Sequence, residues 1–120
     1  MQVVYLNHSG FALLGNQVTL IIDYYQGLSG AVHTSLYKEL FERPGSFYVL
    51  STHFHQDHFN PEILSWKKQR EDIIYIFSRD ILKRKRAKAT DAIYLNKGDR
   101  YTDELVDIQA FGSTDVGGSF

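Results

Sequence analysis

Short apolar runs separated by turn residues predict most of the secondary structure of this chain. Six such runs predict strands, at residues 3–6, 11–14, 18–22, 47–50, 73–77 and 92–95. The alternation of Val106, Ile108 and Ala110 predicts a further, half-buried strand. Gly15-Asn16 joins the second and third runs, and this pair tolerates the positive φ angles of a hairpin turn. The chain is therefore expected to open with an antiparallel meander.

Between these runs, apolar residues recur at helical spacing. They predict three helices, at about residues 35–43, 61–70 and 79–86. Asn60-Pro61-Glu62 is typical of a helix N-terminus, and Ser78 or Asp80 is the expected cap of the third helix. The alternation of strands and helices favours a layered α/β fold over an all-β fold.

The strands predicted at residues 47–50 and 73–77 are apolar on both faces, which indicates that other layers cover both sides of the sheet. The three helices suffice for one side only. We therefore expect a mixed sheet with helices on one face and an exposed apolar patch on the other. A homodimer that stacks sheet on sheet would bury this patch.

Composition and charge narrow the class of protein. The 120 residues are expected to form one unit, with an ordinary globular content of 43% hydrophobic and 22% charged residues. The net charge of −1 argues against a nucleic-acid partner, and no apolar run is long enough to predict a membrane span. Cysteine is absent, which excludes disulfides and thiolate ligands and fits a cytoplasmic protein.

The residues best suited to chemistry lie between Thr52 and Pro61, on the loop expected after a buried strand. His53 and His55 are two residues apart, so in an extended segment both side chains point to the same side and can share one metal ion. Asp57 and His58 fall where the chain turns toward the next helix, so they can bind a second ion. The alternative is a polar loop that merely happens to be rich in histidine.

Imidazole nitrogen and carboxylate oxygen are ligands of divalent Zn, Mn and Fe. Zinc is the first expectation, with up to two ions in a complete site. Two ions about 3.5–4 Å apart would clamp a bridging water and lower its pKa, giving a hydroxide nucleophile near neutral pH.

The pattern His53-x-His55-x-Asp57-His58 after an apolar strand resembles the metallo-β-lactamase superfamily of metal-dependent hydrolases. The resemblance implies a four-layer αββα sandwich. It also implies that His53 and His55 hold one ion and that Asp57 and His58 hold the other. Asp57 would be catalytic as well, because it can orient or deprotonate the water.

The resemblance extends to the start of the chain, where Asn7-His8-Ser9-Gly10-Phe11 and Ile21-Ile22-Asp23 are similar to the opening hairpins of the lactonase-like branch. It covers residues 1–120 but only the N-terminal half of the family's domain, whose second half supplies a bridging aspartate and the last histidine. We therefore expect this chain to be an incomplete fragment, inactive alone. It would pair with the missing C-terminal half or with a second copy.

Three further residues bear on the site. Most of the family supplies another metal-binding histidine after the motif, whereas this sequence has Asp115 as the plausible ligand in that region. His8 lines the site or is a half-exposed turn histidine. Asp23 is expected to be a structural carboxylate that accepts backbone N–H bonds and stiffens the metal loop.

Two functions from different classes remain open. The first is a hydrolase in which a metal-bound hydroxide attacks an ester, lactone or phosphodiester of a small-molecule substrate. The second is a non-catalytic metal-binding or interaction module. The basic run Lys83-Arg84-Lys85-Arg86 could attract phosphate or nucleic acid, but on a near-neutral chain we expect it to be a solvated helix end.

Overall fold

The structure is a computed structural model that describes residues 2–7, 10–25, 34–55 and 58–112. Its described elements, in chain order, are β1 (Gln2–Asn7), β2 (Gly10–Gly15), β3 (Val18–Ile22), α1 (Thr34–Phe41), β4 (Ser46–Ser51), α2 (Glu62–Ser65), β5 (Ile74–Ser78), α3 (Arg79–Lys83), β6 (Ile93–Leu95), β7 (Arg100–Thr102) and β8 (Asp107–Gln109). A 3₁₀ turn, Trp66–Lys68, directly follows α2.

The strands form a mixed sheet in the order β1-β2-β3-β4-β5-β6, beside a separate β7-β8 hairpin. The first two pairings are antiparallel and the next three are parallel. This confirms the predicted antiparallel start and the α/β class. The turn between β2 and β3 lies one residue later than predicted, because Gly15 pairs with Val18 and Gln17 takes the positive φ of 65°.

The helices cover one face of the sheet, as expected. Leu40 of α1, Ile63 of α2 and Ile81 of α3 are buried in one cluster with Phe47 and Phe77 of the central strands. Each helix connects two neighbouring parallel strands, so all three pack on the same side. The αββα sandwich of the resembling family remains a prediction.

The β7–β8 hairpin covers much of the other face, and the predicted apolar patch over the two central strands is wrong. Tyr101, Val106 and Ile108 of this segment pack against Tyr48 and Ile76, which are both buried. The alternation of apolar residues around Ile108 correctly predicted a half-buried strand, which is β8. Local sequence could not tell that this strand folds back over the sheet.

Because the central strands are covered, they give no reason to expect a dimer that stacks sheet on sheet. Large apolar side chains that are exposed among the described residues lie elsewhere, at Val3, Tyr5, Ile93, Leu105 and Phe111.

The predicted helix starts are right at α2 and at α3, where Ser78, one of the two expected caps, is the N-cap residue with extended backbone angles. Asn60 Oδ1 accepts the backbone N–H of Glu62 at 2.9 Å, and Pro61 already has helical backbone angles. Ser78 precedes α3 without a side-chain cap hydrogen bond, and Asp80 lies inside the helix. The Asp80 carboxylate has another partner, described below.

Three of the predicted site residues, Asp57, His8 and Asp115, lie outside the described residues. No helix in the described ranges is both long and apolar enough to cross a membrane.

Candidate metal centre

The candidate site lies at the carboxyl ends of three neighbouring parallel strands. Asp23 directly follows β3, His53 comes two residues after β4, and Asp80 comes two residues after β5. Because parallel strands end at the same edge of the sheet, these side chains converge there. The topology thus gathers residues that are far apart in the chain.

Asp23 is the centre of a hydrogen-bond network at this edge. Its Oδ1 accepts the backbone N–H of Thr52 at 2.7 Å, and its Oδ2 accepts the Thr52 hydroxyl at 2.6 Å. The same Oδ2 lies 2.9 Å from Nδ1 of His58. The expectation that Asp23 accepts a backbone N–H is confirmed, and the stiffening of the loop by Asp23 remains a prediction.

The backbone of Asp23 is held in the left-handed region, with a φ of 52°. Its own N–H donates to Leu50 O at 2.9 Å, which ties the end of β3 to the end of β4. A non-glycine residue in this region costs about 1–2 kcal/mol. The network offsets that cost, and the turn directs the carboxylate toward the histidine loop.

The network fixes which ring nitrogen of two imidazoles donates a hydrogen bond. A carboxylate only accepts hydrogen bonds, so His58 Nδ1 must carry the proton that it shares with Asp23. The Thr52 hydroxyl donates its single hydrogen to Asp23, so its oxygen accepts a hydrogen bond from the N–H at His53 Nδ1, which lies 2.9 Å away. When these rings are neutral, the lone pair of each is on Nε2, the arrangement found in metal-binding histidines.

The three described histidines are not equally spaced. The ring centres of His53 and His58 are 4.5 Å apart, and those of His53 and His55 are 6.3 Å apart. Two rings that bind one tetrahedral zinc ion through Nε2 have centres about 5.2 Å apart, because a Zn–N bond is about 2.0–2.1 Å. The ring centres of His53 and His55 are farther apart than this, so their predicted pairing requires the rings to approach each other, whereas those of His53 and His58 are closer than this separation.

Backbone contacts hold the loop in place. His58 N–H and Phe59 N–H both donate to His55 O at 2.9 Å, and the ring of Phe59 is fully buried. Asp80 Oδ2 accepts Phe54 N–H at 3.3 Å, and Arg86 Nη1 donates to Phe54 O at 2.9 Å. Both backbone polar groups of Phe54, its N–H and its C=O, are therefore hydrogen-bonded to side chains.

Sequence reasoning missed three of these supporting residues. Thr52 adjoins the motif, but its bonds to Asp23 depend on the pairing of β3 with β4. Asp80 is one of the two residues that the sequence predicts as a helix cap, although its position just after β5, the strand beside β4, is a signal that could have found it. Arg86 belongs to the run that the sequence predicts to be solvated, yet it is half-buried and bonded to the loop.

The donor set fits a divalent metal, with two histidines whose Nε2 lone pairs are fixed and a third nearby. Within the described ranges, no group of three His, Asp or Glu side chains is already arranged to hold an ion. Asp57 lies outside those ranges. A complete centre therefore needs Asp57 or another ligand in addition to the described histidines.

In comparisons with known proteins, no family model and no curated protein matches this chain.

Proposed function

We propose that this loop binds a divalent metal ion, with zinc as the first expectation. The bound metal would take part in the hydrolysis of a small-molecule ester, lactone or phosphodiester. The observation that carries the proposal is the Asp23 network, which holds His53 and His58 through Nδ1, so that the lone pair of each neutral ring is on Nε2. An ordinary surface loop has no need for a buried carboxylate that orients two histidines.

His53, His55, Asp57 and His58 would hold the metal, with Asp23 and Thr52 supporting the first and last of these histidines. When bound, the metal would polarise the scissile group and supply an activated water near neutral pH. Asp57 would orient that water or take its proton. The fixed orientation of the histidines limits the reorganisation that metal binding requires.

Zinc analysis of the purified protein tests the proposal. The double substitution His53→Ala and His55→Ala removes two ligands that water cannot replace without a large loss of affinity. We expect bound zinc to fall to background after gel filtration. His33→Ala, which removes a histidine outside the motif, is the control and should retain the zinc of the unmodified chain.

Hydrolysis of p-nitrophenyl acetate, a simple lactone and bis(p-nitrophenyl) phosphate is measured on the same samples. Activity that disappears in the double variant supports the hydrolase. Zinc binding without activity is the outcome expected of an incomplete hydrolase, whereas ligands that stay unoccupied in the purified protein favour the non-catalytic module. Unchanged zinc stoichiometry in the double variant contradicts the assignment of the loop.

A further inference from the structure

The basic run after α3 lies against the histidine loop. The Arg84 guanidinium carbon is 4.6 Å from the ring centre of Phe54. Phe54 stands between His53 and His55 in the chain, and its ring centre is 4.3 Å from that of His55. One aromatic ring thus contacts both the arginine and a candidate metal ligand.

The end of α3 fixes this arrangement. Lys85 N–H donates to Leu82 O and Arg86 N–H donates to Ile81 O, both at 3.0 Å, while Lys85 has a φ of 59°. This is a Schellman ending with lysine at the position that glycine usually takes. The turn brings Arg84 and Arg86 to the same loop, so the basic run is not simply a solvated helix end.

The two arginines differ in what they can still bind. Arg86 is half-buried, donates to Phe54 O and lies 5.2 Å from the Phe59 ring centre, so it supports the loop. Arg84 is exposed, and among the residues that the structure describes its guanidinium forms no ion pair. Its planar fork of N–H donors is therefore available to an oxyanion, beside the exposed side chains of Lys83 and Lys85.

We infer that Arg84 binds a phosphate group of the substrate at the edge of the histidine loop. A phosphate offers several acceptor oxygens and up to two negative charges, which suits an arginine flanked by two lysines better than a carboxylate does. The inference rests on the proposed function, since it names the substrate class of the same site. It narrows the open choice among ester, lactone and phosphodiester to substrates that carry phosphate.

Titration with inorganic phosphate tests the inference without requiring catalysis. The ¹⁵N-labelled chain is titrated in metal-free buffer at constant ionic strength, so that phosphate cannot act by binding a metal. We expect saturable shifts at the Arg84 Nε–H and at the backbone amides of Phe54 and His55. Arg84→Gln should weaken phosphate binding about tenfold, because a charge-assisted hydrogen bond is lost.

Two matched variants distinguish a specific contact between Arg84 and phosphate from a general attraction of phosphate to positive charge. Arg84→Lys keeps the charge without the fork and should restore part of the affinity. Lys68→Gln removes the same charge from an exposed position in the 3₁₀ turn after α2 and should leave the affinity unchanged. Equal losses in Arg84→Gln and Lys68→Gln would overturn the inference, as would the absence of saturable shifts in the unmodified chain.

Acetate at the same ionic strength distinguishes the two oxyanions. Weaker binding of acetate supports phosphate, and equal or tighter binding overturns the assignment. Zinc analysis remains separate. If zinc binding fails while Arg84-dependent phosphate binding persists, the proposed hydrolase is wrong and the anion contact stands.

Discussion

Two aspartates, Asp23 beside the histidines and Asp103 between β7 and β8, each organise a network of hydrogen bonds. Asp103 Oδ1 accepts the N–H groups of Leu105 and Val106 at 2.8 and 3.0 Å. Its Oδ2 accepts the hydroxyls of Tyr48 and Tyr101 at 2.6 and 2.7 Å. Asp23 also binds backbone and hydroxyl donors, but one of its partners is an imidazole.

The two networks differ in the chemistry of the groups that bind each aspartate. The partners of Asp103 are two phenols and two peptide groups, and together they join the hairpin to the sheet. Asp23 binds His58 directly and His53 through Thr52, so it sets which nitrogen of each ring donates to the network. The first network stabilises a fold, whereas the second also prepares ligands, so similar bonding to a carboxylate serves two purposes.

Titration behaviour supports the structural role of Asp103. Burial opposes its ionisation, but the four hydrogen bonds outweigh burial and lower its pKa from 3.8 to about 2. Burial raises the pKa of Tyr48 and of Tyr101 to about 12, and the hydrogen bond of each to Asp103 adds to the effect. The network is therefore in its favourable state, with the carboxylate charged and both phenols neutral, over a wide pH range.

Asp23→Ala should have the largest effect on stability. It leaves Thr52 N–H, the Thr52 hydroxyl and His58 Nδ1 without their acceptor and keeps a non-glycine residue at positive φ. We expect the free energy of unfolding to fall by about 2–4 kcal/mol, measured by urea denaturation. A loss below about 0.5 kcal/mol would contradict the central role given to Asp23.

Asp23→Asn separates the stabilising role from the ligand-preparing role. Asparagine tolerates the left-handed backbone but presents an N–H group that can push His53 and His58 toward the other tautomer. Zinc affinity should fall about 10–100-fold with a smaller loss of stability. Calorimetric titration measures the affinity, and unchanged affinity would remove the distinction drawn between the two aspartates.

Asp103→Asn should destabilise the chain by about 1–3 kcal/mol at pH 7 without changing zinc affinity. Because the folded pKa of Asp103 is below its ordinary value, its contribution is present above about pH 4 and is lost as pH falls toward 2. The difference in stability between the unmodified chain and the variant should therefore shrink over that range. Thermal unfolding from pH 2 to pH 7 checks this.

Asp107→Asn is the control for the hairpin network. Asp107 is exposed and paired with Arg100 on the same hairpin, so its loss should change stability by less than about 0.5 kcal/mol. A pH-independent difference for Asp103→Asn would show that the charge is not what joins the hairpin to the sheet.

Gln17→Gly should have the smallest effect and the opposite sign. Gln17 precedes β3 as Asp23 follows it, and both have positive φ, but the exposed Gln17 side chain serves no network among the described residues. Glycine relieves the backbone strain at some entropic cost, so a gain of about 0.5 kcal/mol is expected by urea denaturation. If Gln17→Gly destabilises the chain, the backbone strain at Gln17 is not comparable with that at Asp23.

The sequence alone determined the local elements and the chemical character of the histidine loop. Apolar runs with turn residues between them located β3, β4 and β5 to within a residue or so, because strand spacing and turn chemistry are local properties. Asn60-Pro61-Glu62 located the start of α2 for the same reason. The clustering of His53, His55 and His58 was visible directly, since they are neighbours in the chain.

Tertiary structure alone decided what surrounds that loop. Asp23 is bonded to Thr52, Asp80 is bonded to Phe54, and Arg84 lies over the ring of Phe54. Each of these contacts joins residues about 26 to 30 positions apart in the chain. They depend on which strands lie side by side and where each helix ends. The β7–β8 hairpin likewise covers a sheet face that its own alternation could not identify. Local patterns specify which side of a strand is apolar, but the partner on that side is chosen by the packing of the whole chain.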